Sequence, residues 1–364
     1  MSEQKKLVKD ILGQDAIVNI ARAGAQVSEV FNAEQFIAFA LDGIEDLSIM
    51  QRVRHIADAL YNALPSPYPD AVRILCQMVH QIAPGFQAVA LTEYIARYGQ
   101  HDFDTSMQAL STMTSYGTAE FAIRPFLSNE QSRTISILLQ WMQSDNEHLR
   151  RLACEGCRPR LPWGIKLSNM LQMPSPAMEI LEQLKSDSSL YVRKSVANHL
   201  NDLAKEYPEA VLDWVATWST DDPNVKWVIR HALRNLIKQG NPRALALHGV
   251  DHLAKLGVTR LKLTPTTIRQ GDSLTISLAV ISQDSETQPA VVDYRLHFPR
   301  ANGSMSTKVF KLKTFSILPE QILEIVTTRA FKDLSTRKYR QGSYIIEILL
   351  NGNVAQSASF ELIS

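Results

Sequence analysis

Near residue 256 the spacing of apolar residues changes from a helical to a strand period, and a chain with that switch must fold as two differently built parts. Before it, from about residue 15, apolar residues recur at i, i+3, i+4 and i+7. In VKWVIRHALRNLIK they are Val225, Val228, Ile229, Ala232, Leu233, Leu236 and Ile237, which predicts one amphipathic helix. YVRKSVANHLNDLA repeats the stripe with Val192, Val196, Ala197, Leu200, Leu203 and Ala204. Asp187 and Asp222 stand ahead of these helices as caps, and Pro208 and Pro242 follow where a helix should stop. After residue 256, Leu261/Leu263 and Leu274/Ile276/Leu278 alternate on either side of a Gln270-Gly271-Asp272 turn. The runs KVFKLKTFSI, QILEIVTT, GSYIIEILLNGN and SASFELIS continue that period. Short strands over about 105 residues predict an antiparallel β-sandwich of immunoglobulin type. The Cys…Trp…Cys signature of antibody domains is absent, since no Cys or Trp follows Trp227. The expected domains are residues 1–255, helical, and 256–364, β.

The helical part repeats itself. LLQWMQSDNEHLRRLACEG, ILEQLKSDSSLYVRKSVANHL and VLDWVATWSTDDPNVKWVIRHAL share one scheme: an amphipathic helix, an acidic turn, and a second helix opening at Leu149, Val192 or Val225. Helical pairs of this kind fit a HEAT-like stack, a curved solenoid in which equivalent positions line up along one face. Two residues after these openings lie Arg151, Lys194 and Trp227; six after them lie Glu155, Asn198 and His231. Asp202 continues the row four residues after Asn198, and Asn235 matches it in the last repeat. A face of this composition suits a polyanion. It also has a plain reading as the solvated side of a helix stack, with Trp227 packed between repeats and His231 structural.

Charge is divided along the chain. Residues 1–149 carry 10 Lys/Arg against 17 Asp/Glu, whereas residues 150–243 and 244–364 each carry 14 against 10. The basic excess lies wholly after residue 149, which points to one surface facing a polyanion. With 45% apolar residues the chain has material for two packed cores, and no stretch approaches the roughly 20 apolar residues of a membrane span. The amino terminus lacks the apolar core of a signal peptide and the cysteines number three, so the expected place is the reducing cytoplasm.

The most specific segment is HLRRLACEGCRPRLPWG, residues 148–164. A helix carrying Arg150 and Arg151 meets Gly156, Pro159 and Pro162, which end it in an extended turn. Glu155 then stands at a helix carboxyl end, where the dipole disfavours an anion unless Arg151, Arg158 or Arg160 offsets it. A carboxylate held there, close in sequence to Trp163, reads as function placed against propensity. Its plain reading is a Pro-rich connector with a fortuitous Glu. Cys154-x-x-Cys157 lacks both the further ligands of a zinc site and the βαβ context of a redox motif. No Walker loop, GxGxxG, HExxH or GxSxG occurs.

TAEFAIRPFL (118–127), HLRRLACEGCRPRLPWG and SVANHLNDLAKEYPEAVLDWVATW resemble the AlkC branch of the HEAT-like AlkC/AlkD DNA glycosylases. The likeness covers most of the helical part, and a C-terminal immunoglobulin-like domain occurs in some members. Cys154 and Cys157 depart from the small hydroxyl residues expected there. The resemblance implies excision of cationic N-alkylated bases, 3-methyladenine and 3-methylcytosine, from duplex DNA by a nucleoid-associated monomer without metal or nucleotide cofactor. It maps catalytic or lesion-contacting roles onto Glu120, Glu155 and Trp163, with Asp202 a further contact. Phosphate candidates are Arg150, Arg151, Arg158, Arg160, Lys166, Arg193, Lys194, Lys226, Arg230 and Arg234, joined by Asn198, Trp227 and His231 of the row. In the β-domain they are Lys308, Lys311, Lys313, Arg337, Lys338 and Arg340, whose plain reading is a sandwich edge protected by charge. A HEAT-repeat protein scaffold and a non-cleaving DNA-binding relative are the competing functions.

Overall fold

A computed structural model of the 364-residue chain describes residues 7–333 and 338–364. Fifteen α-helices fill the first part of the described chain and eight strands follow. Contacts divide it into two compact units, residues up to Tyr207 with Ser219–Val228, and Pro208–Trp218 with Ile229–Ser364. No helix among the described residues is long and apolar enough to cross a membrane.

The helices that the three repeats predict are present in the expected order. Gln131–Trp141 precedes Glu147–Glu155, Met178–Leu184 precedes Leu190–Leu203, and Pro208–Ala216 precedes Pro223–Ala232. Asp222 accepts a hydrogen bond from Asn224 N (2.7 Å) ahead of its helix, and Asp187 holds the turn before the Ser189 cap by accepting from Ser189 N (2.8 Å). The single helix expected over residues 225–237 is broken at Leu233 into Pro223–Ala232 and Arg234–Lys238. At the break the Arg234 guanidinium donates to the His231 carbonyl (2.6 Å), an acceptor that an unbroken helix uses for its own ladder. Pro208 and Pro242 do more than stop helices: each opens the next one, Pro208–Ala216 and Pro242–Leu247, where its missing N–H costs nothing.

In the second unit the strands are β1 (Leu256–Thr264), β2 (Thr267–Arg269), β3 (Ser273–Ser282), β4 (Gln288–Pro299), β5 (Met305–Ile317), β6 (Ile322–Ala330), β7 (Gly342–Leu350) and β8 (Asn353–Ile363). They form sheets of order β1-β3-β6 and β2-β8-β7-β4-β5. Leu274, Ile276, Leu278 and Val280 of β3 share one core with Tyr294 and Leu296 of β4 and Tyr344, Ile346 and Ile348 of β7. The Tyr344 hydroxyl donates to the Arg340 carbonyl four residues upstream (2.7 Å), a corner found in immunoglobulin-type sandwiches. The sandwich departs from a purely antiparallel one, because β2 pairs parallel with β8. Strand β4 was not among the expected runs. Ala290, Val292, Tyr294 and Leu296 face the sandwich core, while on the other face Val291 packs with Leu245 and Val250 and Asp293 is also buried, so Ala290–Tyr294 are buried in succession and the period is hidden.

Candidate active site

The helix Glu147–Glu155 ends where the sequence places its stop, with Gly156 at the cap. Gly156 has φ −60°, so it is required by space and not by backbone freedom: an added Cβ would sit 2.6 Å from Ile123 Cγ2 and 2.9 Å from the Leu152 carbonyl. The turn that follows is held by Arg124. Its fully buried guanidinium donates to the carbonyls of Gly156 (2.9 Å), Arg158 (2.8 Å) and Ile165 (2.7 Å). Burial lowers it to about 10 from the usual arginine value. Sequence reasoning missed Arg124; its one signal was an arginine in the otherwise apolar run AEFAIRPFL.

Around this turn the chain assembles alternating charges. Glu120 pairs with Arg151, Arg151 Nη2 stands 3.7 Å from Glu155 Oε1, and Arg158 Nη1 lies 2.5 Å from the same Glu155 oxygen. Arg158 also donates to Asp202 Oδ2 through Nε (3.1 Å) and Nη2 (3.0 Å), and Lys205 closes the series at 3.3 Å from Asp202. Glu120, Glu155, Arg158 and Asp202 are 9, 6, 7 and 2% exposed. Burial works against the charge of Arg158, yet Glu155 and Asp202 beside it raise it overall, and Glu120 and Glu155 do the same for Arg151. Thr118 completes the first link: its hydroxyl accepts from Arg151 Nη1 (2.7 Å) and donates to Glu120 Oε2 (3.0 Å). The Tyr191 ring lies 5.0 Å from the Arg151 guanidinium carbon.

Asp202 is delivered by the helix Leu190–Leu203, whose second half is buried nearly all round. There His199 is fully buried with Nδ1 3.3 Å from the Cys154 carbonyl, and burial lowers it to about 3. Cys154 and Cys157 are buried thiols pushed up by desolvation, and among the described residues no His, Cys, Asp and Glu group forms a metal site.

Trp163 stands apart from the ion-pair series. It has φ +65°, a left-handed conformation that costs a non-glycine residue on the order of 1–3 kcal/mol, and is 56% exposed. Its ring meets Phe86 edge-on at 6.1 Å and lines a cleft with Met50, Arg54, Glu93, Phe121 and Pro125. A large apolar ring held in strain toward solvent is what a contact surface needs.

The phosphate candidates separate by burial. Arg151 and Arg158 point inward, to carboxylates. Arg150 is committed to Asp187 (2.7 Å) and to the carbonyls of Ser144 and Asp145, and Arg160 to Glu206. Arg193 donates to the Asp187 and Ser188 carbonyls and sits 5.9 Å from the Trp227 ring. Lys166, Lys194, Lys226 and Arg230 are exposed, while Asn198, Trp227, His231 and Arg234 are half-buried. On β5, Lys308, Lys311 and Lys313 are exposed, as are Lys338 and Arg340; Arg337 lies outside the described residues.

Residues 50–236 match the family described as DNA alkylation repair enzyme, and residues 257–364 the family described as the C-terminal Ig-like domain of uncharacterised protein YhaZ. The chain is 35% identical over 356 residues to YhaZ of Bacillus subtilis (strain 168), covering 98% of this chain and 99% of that one. Its structure is similar to that of the Pseudomonas fluorescens alkylpurine DNA glycosylase AlkC bound to DNA containing an abasic site analog. That match has TM-score 0.96 and 40% identity over 99% of this chain and all of the other.

Proposed function

The chain belongs to the DNA alkylation repair enzymes, in the AlkC branch of DNA glycosylases with a C-terminal immunoglobulin-like domain, and we propose that it hydrolyses the N-glycosidic bond of cationic alkylated bases in duplex DNA. In this reading residues 1–255 do the chemistry, residues 256–364 assist binding, and 3-methyladenine and 3-methylcytosine are the substrates.

The observation that carries the reading is Glu155, a buried carboxylate at a helix carboxyl end, held by Arg151 and Arg158 within a series that includes Glu120 and Asp202. Buried ion pairs add little net stability over apolar side chains of the same volume, so such a series is poorly explained by folding alone. Its residue types suit the reaction. Alkylation at a ring nitrogen makes the base cationic, so when the C1′–N bond breaks the electron pair neutralises the base and no strong acid is needed. The sugar left behind is oxocarbenium-like, and a preorganised carboxylate stabilises it electrostatically. Glu155 is assigned that task and the orientation of the water that adds to C1′, whose proton passes to solvent. Glu120 supports it, Asp202 fixes Arg158, and the Trp163 face contacts the cationic lesion, worth about 0.5–2 kcal/mol. Lys166, Lys194, Lys226, Lys308, Lys313, Lys338 and Arg340 supply duplex phosphate contacts.

The test is base release from methylated duplex DNA, with the freed base identified by chromatography. Wild type should release 3-methyladenine or 3-methylcytosine, and Glu155→Gln should be slower by about two orders of magnitude or more with DNA binding retained. A folded wild type that binds DNA and frees no base would leave a binding protein in place of an enzyme.

A further inference from the structure

A pocket of about 80 Å³ in the second unit gathers cations around a buried carboxylate. Arg230, Arg234, Lys238 and His248 line it from the helical segment, Lys311 from β5 next to a bulge at Leu312, and Asp293 from β4 opposite that bulge. Asp293 is 5% exposed and its Oδ1 has no hydrogen-bond partner. Lys311 is its register neighbour, and Arg230 and Lys238 line the same pocket. Arg234 is engaged elsewhere, through the His231 carbonyl. Burial, with Arg230 and Lys238 close by, lowers the Lys311 ammonium, and burial raises the Asp293 carboxyl to about 6.

A carboxylate left without a partner at a buried wall is costly, so this pocket asks for a ligand of definite chemistry. The cations around it require an oxyanion. The carboxylate repels a bare oxyanion and is satisfied only by a hydrogen-bond donor. One class meets both needs: a phosphate with a free hydroxyl or a site for one proton, shared between its oxygen and Asp293 while its other oxygens face the cations. Sulfate and the internal diesters of a nucleic-acid strand carry no such proton.

We infer that this pocket is a binding site for inorganic phosphate or a terminal phosphate monoester, with Asp293 as the group that selects against unprotonated oxyanions. The proposal goes beyond the glycosylase reading and does not depend on it; base release tests the one, and ligand titration tests the other.

The experiment is calorimetric titration of the full chain at pH 7 with inorganic phosphate and with sulfate. Phosphate should bind, and sulfate should be weaker by about tenfold or more, the loss expected when a charged group is left without its hydrogen bond. Asp293→Asn, whose amide can donate to either anion, should bring the two affinities within about twofold. Lys311→Ala should weaken both ligands, and because Lys311 is exposed it tests the site even where Asp293→Asn does not fold by circular dichroism. Parallel titrations with one oligonucleotide bearing a 5′-phosphate or a 5′-hydroxyl separate the sources. A margin for the phosphorylated strand that Lys311→Ala abolishes identifies a strand terminus, and phosphate binding without that margin identifies the free ion. Equal binding of phosphate and sulfate by wild type, or no phosphate binding by folded protein, overturns the proposal.

Discussion

At the scale of residues, Arg158 changes role between sequence and structure. In sequence it reads both as a phosphate contact and as one of three arginines that could offset Glu155; in the fold it bonds Glu155 and also Asp202. Arg158→Ala should therefore destabilise by about 3–5 kcal/mol, the usual cost of stranding buried partners, as read from urea unfolding. Unchanged stability would mean that the carboxylates find water or another cation. Asp293 and His199 give pH dependence of opposite sign. The folded carboxyl of Asp293, at about 6, lies above the ordinary 3.8, so its stabilising contribution is present below 3.8 and lost as pH rises through 6. His199, at about 3, lies below the ordinary 6.5: the unfolded chain takes up its proton first, and stability falls as pH drops from 6.5 toward 3. Asp293→Asn should gain on the order of 2 kcal/mol over wild type at pH 7.5, shrinking toward zero at pH 4, in urea titrations at both values.

At the scale of elements, tight turns do the positioning. The β7–β8 hairpin turns at Asn351 (φ +47°) and Gly352 (φ +85°), the pairing that a two-residue hairpin favours. Asn351 also accepts from Val291 N (2.8 Å) and donates to the Asp251 carbonyl (2.7 Å), tying the hairpin to β4 and to the segment before β1. Gly352 is fixed by a neighbour as well as by its φ, since an added Cβ would fall 2.4 Å from Gly240 Cα. Gly352→Ala should cost about 1–3 kcal/mol through left-handed strain and that clash, measurable as a lowered Tm. The turn after Glu155 has the same logic with different parts: Gly156 provides clearance, and Arg124 supplies donors to carbonyls that have left the helix.

At the scale of the whole molecule, burial decides which charges a polyanion can meet. Lys194 and Lys226 are exposed, so the double Ala variant should reduce the slope of log affinity against log salt for duplex DNA by about 1–2. Arg158→Ala, if it binds, should leave the slope unchanged; fluorescence anisotropy across a salt series reads both. The sequence by itself determined the change of period at residue 256, the repeated helix pairs and the stop after Glu155, because apolar spacing, Gly and Pro act locally. It also marked Glu155, Trp163 and Asp202 as residues worth weighing, and the resemblance to AlkC-type glycosylases added Glu120. Only the tertiary structure decided that three of these join one ion-pair series while Trp163 lines a cleft, and that Arg124 staples the turn beneath them. Glu155 meets Arg151 and Arg158 at local spacings that the sequence already offered, but the links that bring in Glu120 and Asp202 join residues 31 to 44 positions apart, Glu120 to Arg151 and Arg158 to Asp202. No local pattern encodes those long-range partners. They are set by packing, where an unpaired charge is excluded and each buried one must find its counterpart.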